Sequence, residues 1–257
     1  MRTFSFIVGL LVICLLLIFS GEKYPVESIA KSQQSFSKTA IRDYVGSVDK
    51  QLKDASKQAS LVYSLNNYSF QVLKYSLNGK PILYIEKTVD GETGKSEKRY
   101  YLKDNKLAYY TEELKPGNFA RPYISTKAYF RNNALFYAEQ RSALSDSSLK
   151  EVGFQETDLS KKDQFSDLAL LEDALNQKGP FNLVFNGIAD YPKAKYIILS
   201  GSNYNSYRAP IRVDSEDEFV HELSTNAYHY RGEKLEIDYL SNDTNEIVYK
   251  SGKLSKN

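Results

Sequence analysis

Three stretches of this sequence repeat one pattern, in which an apolar residue leads into a short polar turn and the chain returns through apolar residues to a tyrosine. They read LNGKPILY at 77–84, LKDNKLAY at 102–109 and FRNNALFY at 130–137. The turn positions carry Asn, Gly and Asp, and Asn-Gly in particular tolerates the positive φ angles of tight hairpin turns. The pattern predicts consecutive β-hairpins that form an antiparallel meander over residues 61–144.

The repeated apolar and tyrosine positions are interpreted as core. Period-two spacing puts Leu107 and Tyr109 on one face of the predicted sheet, and likewise Ile82 with Tyr84 and Leu135 with Tyr137. The chain has 21 Tyr and 13 Phe but no Trp, and such rings suit half-buried pleated surfaces. We therefore expect these side chains to line the inner face of the sheet and to stabilise the fold rather than carry chemistry.

An amphipathic helix is predicted before the meander. From 38 to 59, apolar residues recur at spacings of three and four: Ile41, Tyr44, Val45, Val48, Leu52, Ala55 and Ala59. Their narrow stripe fits packing against the meander, which needs a cover, or pairing with a second copy of the chain. Within the segment 22–60, residues 22–36 contain Pro25 with several Ser and Gln and are interpreted as a tether.

The first 21 residues predict export. Arg2 precedes a nearly unbroken apolar run from Phe4 to Phe19, which is typical of a signal anchor or a signal peptide. The charge before this run keeps the amino terminus in the cytoplasm, so the body is expected outside, periplasmic in a Gram-negative cell and secreted if the leader is cleaved. The single cysteine, Cys14, lies inside the leader, which excludes an internal disulfide and a cysteine-based active site in the body.

The second half predicts mixed structure. Residues 145–179 are interpreted as a connection followed by a helix at 163–177, and residues 180–257 as a mixed α+β domain. That domain is expected to hold strands, a helix from Asp214 to Leu223, and hairpins that turn at 232–233 and 251–252. The fold class expected for the whole chain is α+β, with an N-terminal anchor, the amphipathic helix, the tyrosine-rich meander and this second mixed region.

Motifs for catalysis or cofactor binding are weak. His221 and His229 are eight residues apart, whereas a zinc-protease pair needs one helical turn. Ser200-Gly201-Ser202 follows an apolar strand but lacks the Gly-x-Ser-x-Gly pattern of a nucleophile turn. The acidic run at 214–218 lacks the ligand alternation of a calcium loop. Accordingly, no catalytic, cofactor-binding or metal-binding residue is predicted.

Two functions are compatible with the sequence. The first is a membrane-tethered, non-enzymatic binding or assembly protein of the cell envelope, whose partner is another envelope protein or a small apolar ligand. Nucleic acid is not expected as a partner, because the net charge is only +2 and the body is exported. The alternative is an envelope hydrolase with a dispersed site near 200–230, formed by Ser200, Ser202, Tyr204, Tyr207, His221 and His229.

Overall fold

A large, mostly antiparallel β-sheet dominates the computed structural model, which describes residues 37–118, 120–159, 165, 168–203, 205–242 and 246–255. The predicted leader and tether, residues 1–36, lie outside the described residues. The contacts divide the chain into Met1–Ile41 and Arg42–Asn257, and the sheet belongs to the second unit. A few helices accompany it, so the predicted α+β class is confirmed at this coarse level.

The elements follow one another along the chain. The helices are α1 Lys38–Gln51, α2 Asp146–Glu151, α3 Leu168–Leu175, α4 Glu218–Thr225 and α5 Ala227–Tyr230. The strands are β1 Ser56–Ala59, β2 Tyr63–Leu65, β3 Tyr68–Leu77, β4 Lys80–Asp90, β5 Gly94–Lys103, β6 Lys106–Lys115, β7 Tyr123–Arg131, β8 Ala134–Ala143, β9 Gln155–Glu156, β10 Val184–Tyr191, β11 Ala194–Ser200, β12 Arg208–Val213, β13 Leu235–Ser241 and β14 Ile247–Leu254.

The predicted hairpins are confirmed as β3–β4, β5–β6 and β7–β8, which pair consecutively into a meander. Their turns are Asn78-Gly79, Asp104-Asn105 and Asn132-Asn133, and all six residues have positive φ. Two positive φ angles in succession match the right-handed twist of the flanking strands. The turn residues therefore determine where each hairpin reverses.

The prediction that Leu107 shares a face with Tyr109, and Leu135 with Tyr137, is wrong. Leu107 pairs with Leu102, whereas Tyr109 pairs with Tyr101, because Ala108 is an extra residue in the register. The other two hairpins skip Ile82 and Phe136 in the same way. Such a bulge shifts the alternation of side chains by one position, so the residues before and after it point to opposite faces. In this register Leu83, rather than Tyr84, is equivalent to Tyr109.

Two rows of side chains that face the interior result, one on each face of the meander. The first tyrosine row consists of Leu83, Tyr101, Tyr109, Tyr129 and Tyr137. The second tyrosine row consists of Tyr84, Tyr100, Tyr110, Ala128 and Ala138. All but Tyr137 are buried. Both faces of the meander therefore belong to the interior at these positions, and each needs its own cover.

Helix α1 covers the first row, as predicted. The Tyr44 hydroxyl donates to the Leu102 carbonyl, and the Tyr101 hydroxyl donates to Asp49 at 3.0 Å. The predicted extension of this helix to Ala59 is wrong. The helix ends at Gln51, and residues 56–59 form β1, which pairs with 73–76 of β3. Pairing with a long neighbouring strand outweighs the weak helical preference of this short segment.

The second row belongs to a core that extends into the later half of the chain. Phe165 contacts the rings of Tyr110 and Phe130 at centroid distances of 4.9 and 5.3 Å. Phe181 contacts the rings of Tyr63 and Tyr207 at 4.5 and 5.0 Å. Strand β2 also pairs with β12. The regions predicted as 61–144 and 180–257 thus share one core and one sheet.

The two hairpins predicted to turn at 232–233 and 251–252 do not form. The chain does turn after α5, where the Glu233 N–H donates to the Tyr230 carbonyl at 3.0 Å, but this turn connects a helix to β13. Ser251 and Gly252 lie inside β14, which pairs with β13. Gly252 serves close packing instead: a Cβ there would lie 2.7 Å from the ring of Phe219. Its position in β14 is explained by this contact rather than by turn formation.

Within the ranges given above, none of the helices is long and apolar enough to cross a membrane.

Candidate functional site

The described residues of the predicted dispersed site fall into two places, the loop between β11 and β12 and the helical segment 218–230. Ser200 is the last residue of β11, Ser202 is exposed in the following loop, and Tyr204 lies outside the described residues. The Tyr207 ring is half-buried against Phe181. The described contacts around these residues are those of strand ends and core packing.

The two histidines are both exposed on the surface of the helical segment 218–230. His221 Nδ1 lies 3.7 Å from Glu216, and the His229 ring packs edge-on against Tyr230. Neither of these neighbours is one of the serines of the predicted site. For the described residues, no group of three His, Cys, Asp or Glu side chains could hold a metal ion.

Acidic side chains at the start of α4 cap this helix and form an ion pair with β11. Asp217 accepts from the backbone N–H of Val220 at 2.9 Å and from the Tyr249 hydroxyl at 2.7 Å, so it caps the helix. The helix predicted from Asp214 to Leu223 therefore begins later, at Glu218, and ends at Thr225. Glu216 pairs with Lys195 at 2.9 Å. These carboxylate oxygens therefore have protein partners.

Buried carboxylates connect the sheet to its surroundings. Glu86 accepts from Lys98 Nζ and from the Tyr100 hydroxyl, each at 2.8 Å. Glu139 accepts from the Tyr129 hydroxyl at 3.0 Å and from Arg42 at 3.2 Å. Each carboxylate is thus paired with a cation and a phenol, as a buried charge requires.

A third carboxylate, Glu172 of α3, fixes that helix to the sheet. It accepts from the Tyr84 hydroxyl and from Lys74 Nζ at 3.0 Å. Burial alone would raise the pKa of Glu172, but the hydrogen bonds from Tyr84 and Lys74 lower it overall. The carboxylate therefore remains charged and serves as a structural contact between α3 and the second tyrosine row.

The unusual feature of the described surface is a seam between β1 and β13. Strand β1 pairs only with β3, and β13 pairs only with β14, within the described chain. Residues 57–59 and 237–241 nevertheless line one groove of about 390 Å³. The Tyr239 hydroxyl donates to the Ala59 carbonyl at 2.9 Å across it. A side chain, rather than a backbone hydrogen bond, thus connects the two strand edges.

The seam has an apolar floor and an exposed rim that carries two charged residues. The Tyr239 and Ile237 side chains are partly buried and pack against the core. Lys57, Asp238 and Leu240 are exposed at the rim. Under β1, Gln58 Nε2 donates to the Leu175 carbonyl at the end of α3 at 3.5 Å, so this helix end lies beside the groove.

A second groove adjoins the seam at Ile237 and Asp238. It has a volume of about 530 Å³ and is lined by the end of α3, at Asn176 and Gln177, together with both strands of the β13–β14 hairpin. The open surface next to β13 therefore extends along the whole strand.

The seam was not predicted, because the sequence pattern of 56–59 indicated a helix and that of 227–240 a hairpin. The two strand edges are about 180 positions apart in the sequence and reach one groove only through the pairing of the whole sheet. Ser56-Lys57-Gln58 fits the polar interval between Ala55 and Ala59 of the predicted helix, so it gave no local signal of a strand.

The chain was compared with protein-family models, curated proteins and solved structures. None of these comparisons found a match.

Proposed function

We propose that this chain is an exported, membrane-tethered, non-enzymatic binding or assembly protein of the cell envelope. Export and tethering are supported by the apolar run from Phe4 to Phe19 and the positive charge before it. Binding is supported by one observation above the others, the open seam between β1 and β13. Exposed strand edges are sites at which another chain can add to a sheet.

The alternative of a hydrolase near 200–230 receives no comparable support. Among the described members of that group, Tyr207 packs in the core and both histidines are exposed beside other partners. A nucleophile and its base would need to lie within hydrogen-bonding distance. The binding function is therefore the better account of the described geometry.

Photo-crosslinking in the living cell tests the proposal. A photoreactive amino acid is placed at Leu240 on the seam, which is 56% exposed, and for comparison at Tyr228, which is 91% exposed on α5. We expect Leu240 to crosslink to one particular envelope protein and Tyr228 to give none of that product. Identical products at both positions, or products from cytoplasmic proteins, would contradict the proposal.

Topology is tested separately with a reporter enzyme that is active only outside the cytoplasm, fused after Asn257. The full chain is expected to give reporter activity, and deletion of residues 1–21 is expected to abolish it. Activity that does not depend on the leader would contradict export through this segment.

A further inference from the structure

We propose that the seam accepts one extended peptide segment of a partner protein, which lies antiparallel to both β1 and β13 and joins them into a continuous sheet. This inference rests on the proposed binding function and names the kind of partner that the function requires. Three features of the seam support the inference: the direction of its strands, the hydrogen-bonding groups of its backbone, and its charge.

The directions of β1 and β13 leave room in the sheet pattern for one further antiparallel strand between them. Strand β1 is antiparallel to β3, β3 to β2, and β2 to β12; β12 is parallel to β14, which is antiparallel to β13. Strands β1 and β13 therefore run in the same direction. The rest of the sheet is antiparallel apart from the single β12–β14 contact. One strand inserted between β1 and β13 would be antiparallel to both and would restore the alternation.

Backbone chemistry restricts what can fill the seam. Each strand edge presents N–H and C=O groups at every second residue, and neighbouring strands in a sheet lie about 4.8 Å apart. A single extended segment can satisfy both edges at once, because it has one row of donors and acceptors on each side. Its backbone N–H would replace the Tyr239 hydroxyl as the donor to the Ala59 carbonyl. A helix satisfies its own backbone groups and leaves those of the seam unpaired.

The lining predicts the side chains of the segment. On its inner face the segment would meet Ile237 and the end of α3, which favours small or apolar side chains at alternate positions. Its outer face would lie between Lys57 and Asp238. Asp238 accepts from the neutral Ser251 hydroxyl at 3.1 Å and has no ion pair with a Lys or Arg in the described ranges. A basic side chain beside Asp238 would complement this charge.

The length of the segment follows from its neighbours. Strand β1 has 4 residues and β13 has 7, so the stretch that can contact both edges is about four residues long. The outer strands β9 and β10 each present a single edge. The seam differs from both because two edges face one groove, and this doubles the hydrogen bonds available to a bound strand.

A display library of random peptides of about ten residues, selected on the full-length chain in mild detergent, supplies the probe. We expect the enriched peptides to alternate apolar and polar residues and to carry a basic residue on the polar face. Their binding should slow amide hydrogen exchange about tenfold or more in both 56–59 and 235–241. A library without enriched peptides, or peptides that protect other parts of the chain, would overturn the proposal.

Two matched comparisons, one between protein variants and one between peptides, test whether binding depends on Asp238 and on the peptide backbone. Asp238→Lys should weaken binding about threefold to tenfold, because it replaces attraction to the basic residue with repulsion. Asp190→Lys, the same change on the edge strand β10, should leave binding unchanged. Methylation of alternate peptide nitrogens should abolish binding, since it removes the donors along one side of the segment. Equal binding of the methylated peptide, or equal effects of the two substitutions, would contradict insertion.

The outcomes separate this proposal from others. Protection of only one of the two strands would mean edge addition without insertion and would overturn it. Protection of both strands that rises with protein concentration in the absence of peptide would mean that a second copy fills the seam, and would also overturn it. If Leu240 captures an envelope partner in cells but no peptide protects both strands, the proposed function stands and the strand-insertion mode is wrong.

Discussion

Replacing Phe181 with alanine is expected to lower the free energy of unfolding by about 3–5 kcal/mol. Phe181 is fully buried and stacks on Phe70 at 5.6 Å, while Tyr63 and Tyr207 contact its other sides. Because these partners come from both halves of the chain, removal of the Phe181 ring should destabilise both halves together. Chemical denaturation, followed by far-ultraviolet and near-ultraviolet circular dichroism, should show one transition at a lower denaturant concentration.

The matched control is Phe136→Ala, the same change on the meander at a residue that is 39% exposed. We expect a cost of about 1 kcal/mol or less, because the ring is partly hydrated and its packing on Arg131 is a surface contact. Two separate transitions for Phe181→Ala, with only one of them shifted, would show that the halves have independent cores.

Alkaline pH is expected to unfold the protein steeply. Burial raises the pKa of Tyr63 and of Tyr110, both completely buried, and raises the pKa of Tyr101 and of Tyr239 to about 12. The ordinary tyrosine value is about 10. Above pH 10, and below the raised pKa values of the folded chain, the unfolded chain has lost phenol protons that the folded chain retains. The contribution of these tyrosines to the free energy of unfolding is therefore complete below pH 10 and falls as the pH rises above it.

The slope of the free energy of unfolding against pH gives the size of this effect. Each buried tyrosine contributes a slope of about 1.4 kcal/mol per pH unit, so Tyr63 and Tyr110 alone give roughly 3 kcal/mol per pH unit above pH 10. Tyr63→Phe should reduce the slope by about 1.4 kcal/mol per pH unit and lower stability near neutrality by about 1 kcal/mol, since it removes the 2.7 Å bond to the Ala174 carbonyl. Complete, reversible ionisation of the phenols without loss of stability would contradict buried tyrosine rows.

Local chemistry made parts of this fold predictable. The hairpin turns were correctly located because residues such as Asn78 and Gly79 tolerate the positive φ that such turns need. The body of α1 was found from its spacing, and the helix begins after Ser37, whose hydroxyl accepts from Ala40 N–H at 3.1 Å. In each case the deciding interaction lies within a few residues along the chain.

Features set by distant residues could not be predicted in this way. The bulges at Ile82, Ala108 and Phe136 depend on the register of the opposite strand, and they reversed the assignment of faces. Glu86 and Glu139 are charged strand residues, yet both are buried, and their cation and phenol partners come from other strands and from α1. Period-two reasoning assumes one solvated face, whereas this meander is covered on both.

The candidate site was missed for a related reason. A seam exists only because β1 and β13 reach the same groove through separate routes in the sheet, and neither strand has a strong local signature. Its chemistry is that of the backbone, so a search for reactive side chains passes over it. Only the topology reveals that these two edges run in the same direction.

The most direct test of an open seam is residue-resolved amide hydrogen exchange on the free, full-length protein. In β1 and β13, amides that face their single partner strand should be protected, and the alternating amides that face the seam should exchange rapidly, as at an open edge. Strand β5, which is paired on both sides, should be protected throughout. Uniform protection of β1 and β13 at the level of β5 would mean that the seam is closed, and would contradict the account.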